Sequence, residues 1–101
     1  MVVRLTRFNI SPGNAEEAKR IYQQEVVPEV KKQKGNVNVM LLEPTDGSNE
    51  YISMTAWENK SDAEAYESGG KYKELVDKVK GMFTDQPVLK TYDAQEIPRK
   101  K

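Results

Sequence analysis

The chain of 101 residues contains neither cysteine nor histidine. These two absences exclude disulfides, thiolate nucleophiles and zinc sites built from Cys or His ligands. They also remove imidazole as a general base and the usual His or Cys axial ligands of haem. Any proton transfer must therefore use a carboxylate, a lysine, a tyrosine, water or the substrate itself.

The chain also lacks net charge and long apolar runs. Lys and Arg together number 16, as do Asp and Glu, whereas nucleic-acid-binding proteins usually carry a basic surplus. The basic residues 99–101 are typical of a solvated tail. No apolar stretch approaches the roughly 20 residues of a membrane span, and segment 1–5 is too short for the apolar core of a signal peptide. We expect a cytoplasmic protein without nucleic acid, membrane, metal or cofactor.

The length fits one domain over residues 1–101, with a core at about 2–93 and a tail at 94–101. Apolar periodicity predicts strands over 2–10, 36–43, 51–58 and 88–93. The polar turn PTDGSN (44–49) joins the second and third strands in an antiparallel hairpin. The first helix spans about 15–34, with Asn14 as its N-cap and with Pro28 predicted to interrupt it near residues 24–27.

The second helical region is divided by a glycine pair. Ser61-Asp62-Ala63-Glu64 is a capping-box pattern, which predicts a short helix ending near Ser68. After Gly69-Gly70, an apolar stripe indicates a further helical segment over 71–83. The resulting order, β-α-β-β-α-β, predicts an α+β, ferredoxin-like fold with a four-stranded antiparallel sheet and helices on one face.

Alternation along the strands separates two faces of this sheet. In the third strand Tyr51 and Trp57 point to one side, with Ile52, Met54 and Ala56 opposite. In the second strand Val37, Val39 and Leu41 share a side. We expect the large residues Trp57 and Tyr51 to lie on the face that the helices leave free. A second copy of the chain is the simplest cover for such a face, which predicts a homodimer.

Several of these segments together resemble the antibiotic-biosynthesis-monooxygenase-like domains. The first strand ends in Ser11-Pro12-Gly13 before a helix rich in Glu and Ala, and the third strand ends in Trp57-Glu58-Asn59-Lys60-Ser61. A short helix with Ala63, Ala65, Tyr66 and Ser68 follows. The resemblance covers residues 2–93 and is most specific over 57–68. It implies a dimeric α/β barrel whose pockets lie between each sheet and its helices.

The resemblance also implies a range of activities. Some members oxidise polycyclic phenols or quinols with molecular oxygen and need neither metal nor flavin, and others degrade haem. The haem-degrading branch uses asparagine, tryptophan and histidine at positions that align near Thr6, Tyr66 and Val76 or Asp77. None of these matches, which disfavours haem degradation. Many other members place histidine where Tyr66 stands.

The candidate substrate-binding residues are aromatic side chains and amides. Tyr51, Trp57, Tyr66 and Tyr72 could line a pocket for a flat aromatic compound, and the resemblance singles out Tyr66. Alternatively, Tyr72 belongs to the core and Trp57 packs in a dimer interface. The amides of Asn9, Asn36 and Asn38 could orient a substrate oxygen, or could serve turns and edge strands.

The other polar residues and the methionines have simpler structural interpretations. Arg4 and Arg7 point to opposite faces of the first strand, which favours one solvated residue and one structural ion pair. Asp46, Ser48 and Glu50 lack the further ligands of a calcium loop and are typical of a hairpin turn. Three methionines either line a pocket or fill the core: Met40, Met54 and Met82.

Two functions remain open at this level. One is cofactor-independent oxygenation of a small phenolic, quinol or polycyclic aromatic compound, in which the electron-rich substrate itself reduces oxygen. The other is a non-catalytic ligand-binding or stress-responsive module on the same fold. No residue is assigned a catalytic role by the sequence.

Overall fold

The structure, a computed structural model, describes residues 1–98. Four strands form one sheet: β1 (Val2–Asn9), β2 (Asn36–Leu42), β3 (Glu50–Trp57) and β4 (Val88–Asp93). The helices are α1 (Ala15–Ile21), α2 (Val27–Lys31), α3 (Lys60–Ser68) and α4 (Lys71–Asp77). A π-helical segment, Tyr22–Val26, joins α1 to α2, and a 3-10 turn, Lys80–Met82, follows α4.

The sheet has the order β2-β3-β1-β4, and all neighbouring strands are antiparallel. The two central strands are therefore the first strands of the two β-α-β halves, which is the ferredoxin-like arrangement. This confirms the predicted α+β fold. Within residues 1–98 no helix is long and apolar enough to cross a membrane.

Pro28 explains the interruption in the first helical region. A proline removes one backbone donor, and its ring collides with the carbonyl four residues earlier. The wider π turn over Tyr22–Val26 precedes this position, at the predicted place. The helical region ends at Lys31 rather than at residue 34, and Gly35 then turns the chain with a φ of +82°.

Three local predictions were wrong. Helix α3 has Asn59 as its N-cap instead of Ser61, because the Asn59 carbonyl already accepts the amides of Asp62 and Ala63. The helical segment after Gly70 is not continuous to residue 83, since α4 ends at Asp77. A register shift between Asn36 and Asn38 leaves Val37 about half exposed and out of step with Val39.

The two sheet faces are also assigned differently from the prediction. Trp57 is fully buried and Tyr51 is 6% exposed, and both lie on the helix-facing side. The reason is that Trp57 packs against Tyr66 of α3 and Tyr51 against Phe8 of β1. The opposite side, named here the outer face, also carries apolar side chains. They are Val3, Leu5, Met40, Leu42, Ile52, Met54, Val88 and Tyr92.

Candidate functional site

A cavity of about 50 Å³ lies between the helix-facing side of the sheet and the helices, and it is partly open to solvent. Six of its lining residues are apolar and five carry a hydroxyl; among residues 1–98 no charged side chain lines it. The lining residues are Thr6, Phe8, Tyr22, Val26, Ser53, Tyr66, Tyr72, Leu75, Val76, Val79 and Phe83. This chemistry suits a mostly apolar ligand with a hydrogen-bonding oxygen.

The central strands hold the polar floor of the cavity. Thr6 of β1 and Ser53 of β3 are register partners, so their hydroxyls lie side by side on the sheet. The Ser53 hydroxyl shares a hydrogen bond of 2.7 Å with the Tyr22 hydroxyl, which also donates to the Met40 carbonyl at 3.2 Å. The Thr6 and Tyr72 hydroxyls are 3.4 Å apart. Two neighbouring hydroxyl pairs thus face the cavity.

Tyr22 owes its position to the π-helical segment. It is the first residue of the wide turn that accommodates Pro28, and it is 6% exposed. π-helical turns insert one extra residue and are frequent at functional sites. Here the turn coincides with the residue that binds Ser53 across the cavity floor.

Tyr66 forms the wall contributed by α3. Its ring centroid lies 5.0 Å from that of Trp57 and 6.0 Å from that of Tyr72, with an edge-on orientation to the latter. Trp57 donates its indole N–H to the Thr55 hydroxyl at 2.8 Å, which satisfies the one polar atom of a fully buried ring. Trp57 and Thr55 therefore form a rigid layer behind Tyr66.

Two of the cavity tyrosines, Tyr22 and Tyr66, are weaker acids than a free tyrosine. Burial raises the pKa of Tyr22, against a smaller opposing effect of its hydrogen bond with Ser53. Burial also raises the pKa of Tyr66, with Tyr72 and Tyr22 adding to the effect and the Arg4 cation opposing it. Both phenols therefore stay protonated at neutral pH. Tyr66 can donate a hydrogen bond to a ligand oxygen, whereas the Tyr22 hydroxyl already donates to the Met40 carbonyl. Neither protonated phenol can accept a proton from a ligand.

Only some of the candidate residues lie at this cavity. Tyr66 and Tyr72 line it, and Trp57 supports Tyr66 from behind. Tyr51 instead stacks on Phe8 at a centroid distance of 6.2 Å. The candidates Asn9 and Asn38 do not line the cavity. Asn9 donates to the Asp85 carboxylate at 3.1 Å, and exposed Asn38 accepts a hydrogen bond from the Val39 amide at 2.9 Å.

Sequence reasoning missed three lining hydroxyls: those of Thr6, Tyr22 and Ser53. Tyr22 lies within the first predicted helix, and a tyrosine needs a partner for its hydroxyl when it is buried. Ser53 shares a strand face with Tyr51 and Trp57, so the wrong assignment of that face also misplaced Ser53. The third candidate asparagine, Asn36, has a structural role, because its side-chain amide donates to the Ala56 carbonyl at 3.2 Å.

The remaining polar candidates do not line the cavity. Exposed Arg7 lies 3.8 Å from Glu50, whereas buried Arg4 lies 3.0 Å from Glu67. Asp46 accepts the Ser48 amide at 2.9 Å, as in an ordinary turn. Residues 1–98 contain no group of three or more His, Cys, Asp or Glu side chains that could hold a metal ion.

The family comparison agrees with this geometry. The sequence profile of the antibiotic biosynthesis monooxygenase family matches residues 1–78. The chain belongs to this family. The matched range contains β1, the π-helical segment, β3, α3 and α4, and with them nine of the eleven lining residues. No curated protein matches the sequence significantly.

Solved structures of the family share the fold. A putative antibiotic biosynthesis monooxygenase from Deinococcus radiodurans has a TM-score of 0.82 at 15% identity, covering 100% of this chain and 99% of that one. A variant of SnoaB, a cofactor-independent oxygenase from Streptomyces nogalater, has a TM-score of 0.79 at 18% identity, covering 97% of each chain. A variant of MhuD, solved with manganese protoporphyrin IX bound, has a TM-score of 0.76 at 18% identity, covering 98% of this chain and 100% of that one. At these identities the likeness shows the fold alone.

The residues present do not fit a haem. Thr6, Tyr66 and Val76, which align with the positions used by the haem-degrading branch, all line the cavity. None supplies the asparagine, tryptophan or histidine expected there.

Proposed function

We propose that the protein is a cofactor-independent monooxygenase that acts on a small phenolic, quinol or polycyclic aromatic compound. The observation that carries the proposal is the apolar cavity whose polar groups are all hydroxyls. Phenol donors can bind a quinol or phenol oxygen, and the apolar walls desolvate the ring. Family membership supports the reaction class.

The substrate supplies the electrons in this reaction. An electron-rich phenolate or enolate passes electrons to dioxygen, one oxygen atom enters the carbon skeleton, and the other leaves as water with the two hydrogens of the substrate. The protein contributes orientation and a dry site. Since Tyr66 keeps its proton, its part is to donate a hydrogen bond to the substrate oxygen while the charge of that oxygen changes. Tyr22 holds Ser53 in place on the cavity floor.

Oxygen consumption with a panel of hydroquinones and anthrones tests the proposal, using protein freed of metals and flavin. We expect at least one compound to react faster than in buffer, and we expect Tyr66→Phe to slow turnover at least ten-fold by loss of one donor. Tyr51→Phe is the matched control, because both tyrosines are 6% exposed but only Tyr66 lines the cavity. Equal rates for every compound with and without protein would exclude this substrate class.

A non-catalytic ligand-binding or stress-responsive module is the second candidate. It is favoured by the absence of any charged side chain from the cavity lining among residues 1–98. A thermal-shift screen of the same compounds distinguishes the two candidates. Raised melting temperatures without oxygen consumption would favour the binding module.

We further propose that the protein is a homodimer, with its outer face as the interface. Four of the seven exposed large apolar residues within residues 1–98 lie on this face: Met40, Leu42, Val88 and Tyr92. Strand spacing and rise give the face an area of roughly 400 Å² in projection, and an apolar patch of this size is often an interaction surface. A second copy related by a two-fold axis covers it with the same surface.

We also propose a cytoplasmic location, because a chain without cysteine does not depend on an oxidising compartment. Fractionation of the source cells tests this directly.

A further inference from the structure

Arg4 is the only buried charged residue within residues 1–98. This residue is 3% exposed, and its Nη1 donates to the Ala63 carbonyl at 2.8 Å. Its Nε and Nη2 have no hydrogen-bond partner among residues 1–98. The Glu67 carboxylate lies 3.0 Å from Nη2, but outside hydrogen-bond geometry, and Glu67 is about half exposed to solvent. A buried cation with two free donor groups is costly unless something uses it.

The Tyr72 ring connects this cation to the cavity. The ring lines the cavity, and the Arg4 guanidinium carbon lies 5.4 Å from its centroid. Arg4 also precedes Thr6 by two residues on β1, so both side chains point to the same side of the sheet. Tyr72 therefore contacts the guanidinium with its ring and Thr6 of the cavity floor with its hydroxyl.

The cavity must enlarge to take an aromatic ligand. Its volume of about 50 Å³ is roughly a third of the ~150 Å³ of an apolar cavity that holds benzene. Tyr72 is the wall best able to move: it is partly exposed, its hydroxyl contact to Thr6 is long at 3.4 Å, and its helix begins directly after Gly70. Tyr22 and Tyr66, by contrast, are both 6% exposed.

From these observations we infer that Arg4 is the specificity-determining residue of the site. Displacement of Tyr72 enlarges the cavity and brings the free N–H groups of Arg4 to its end, where they bind an anionic oxygen of an aromatic ligand. The preferred substrates are therefore aromatic compounds that carry a carboxylate or an ionised phenol next to the reacting ring. This inference rests on the proposed function and further specifies that the preferred substrate is negatively charged.

Binding of 2-naphthoate and 2-naphthamide tests the inference, because the two compounds have nearly the same shape and differ in charge. Hydrogen bonds to charged groups favour the anion, so we expect wild-type protein to bind the naphthoate at least roughly ten-fold more tightly by calorimetry. Arg4→Gln should bring the ratio of dissociation constants close to one. Tyr72→Ala should tighten binding of both compounds while keeping the preference.

Arg7→Gln is the matched control, since Arg7 lies on the same strand but on the outer face. It should leave the ratio unchanged. If Arg4→Gln fails to fold, the nuclear magnetic resonance signal of the Arg4 Nε–H group in wild-type protein replaces it. That signal should shift with the naphthoate and not with the naphthamide.

Three outcomes contradict the inference: no binding of the naphthoate at millimolar concentration, equal affinity of wild-type protein for both compounds, or a preference that survives in folded Arg4→Gln. A failure of the proposed function is distinguishable from these outcomes. In that case the naphthoate preference persists although no compound of the hydroquinone and anthrone panel is oxidised.

Discussion

At the scale of single residues, hydroxyl groups determine the chemistry of the cavity. Thr6 and Ser53 supply two of them from adjacent strands, and Tyr22 and Tyr72 cover them from the helices. Because neither cysteine nor histidine is available, the site depends on hydrogen bonding and desolvation rather than on an activated nucleophile. This assigns acid-base chemistry to the substrate.

Removal of the Tyr22 hydroxyl should weaken both folding and ligand binding. Tyr22→Phe leaves the partly buried Ser53 hydroxyl without its tyrosine partner, so we expect a loss of about 1 kcal/mol in the free energy of unfolding. Urea denaturation measures this loss. Tyr51→Phe, at a ring that is also 6% exposed but whose hydroxyl takes no part in this pair, is the control and should change the stability little. An equal effect of the two substitutions would contradict the role given to the Tyr22–Ser53 pair.

Alkaline pH should destabilise the fold through the buried phenols of Tyr22 and Tyr66. Their pKa in the folded state lies above the ordinary value of 10.0, so the unfolded chain releases its protons first as the pH rises. Their contribution to stability is complete below about pH 10 and is lost above it. Denaturation between about pH 8 and about pH 11 should show this decline, and Tyr66→Phe should reduce its slope. A slope unchanged by Tyr66→Phe would contradict the burial of this phenol.

At the scale of elements, the cavity depends on two interruptions of helices. Pro28 forces the wide turn that presents Tyr22, and Gly70 separates α3 from α4, which present Tyr66 and Tyr72. Both interruptions were predictable from the sequence, because proline and glycine act through local sterics. Their consequence for the site was not, since it depends on which strand residues the displaced side chains meet.

Gly70 offers a direct test of the second interruption. Its φ of +89° lies in the left-handed region, and a Cβ there would meet no atom within 4 Å. Gly70→Ala should therefore lower the free energy of unfolding by about 1 to 2 kcal/mol through backbone strain alone. Gly81→Ala is the control, because it also has open space but lies outside that region. Calorimetric melting that shows equal shifts for both variants would rule out this conformation at Gly70.

The sequence was a better guide to strands than to their faces. Alternation located β3 to within one residue and separated Tyr51 and Trp57 from Met54. It did not say which side the helices cover, because both sides of this sheet carry large apolar residues. Trp57 lies on the helix-facing side because its ring packs against Tyr66 of α3. In β2 the register shift next to Asn38 broke the alternation from which Val37 was assigned.

At the scale of the whole molecule, the outer face predicts self-association. Met54 lies near its centre, opposite Leu5 on β1 and Met40 on β2. Light scattering coupled to gel filtration should give twice the 11.5 kDa of one chain, and Met54→Lys should shift the mass toward the monomer by placing a charge in an apolar interface. Ala65→Lys adds the same charge on exposed α3 and should leave the mass unchanged. A wild-type mass of one chain at micromolar concentration would contradict the dimer.

The central claim is that this protein uses dioxygen without a cofactor, and isotope labelling tests it most directly. Protein freed of metals and flavin is incubated under labelled dioxygen with the hydroquinone or anthrone that it oxidises fastest, and the product is analysed by mass spectrometry. The account predicts one labelled oxygen atom per product molecule and a dependence of the yield on Tyr66. An unlabelled product, whose new oxygen atom comes from water, would contradict the account. So would product formation that requires added metal or flavin.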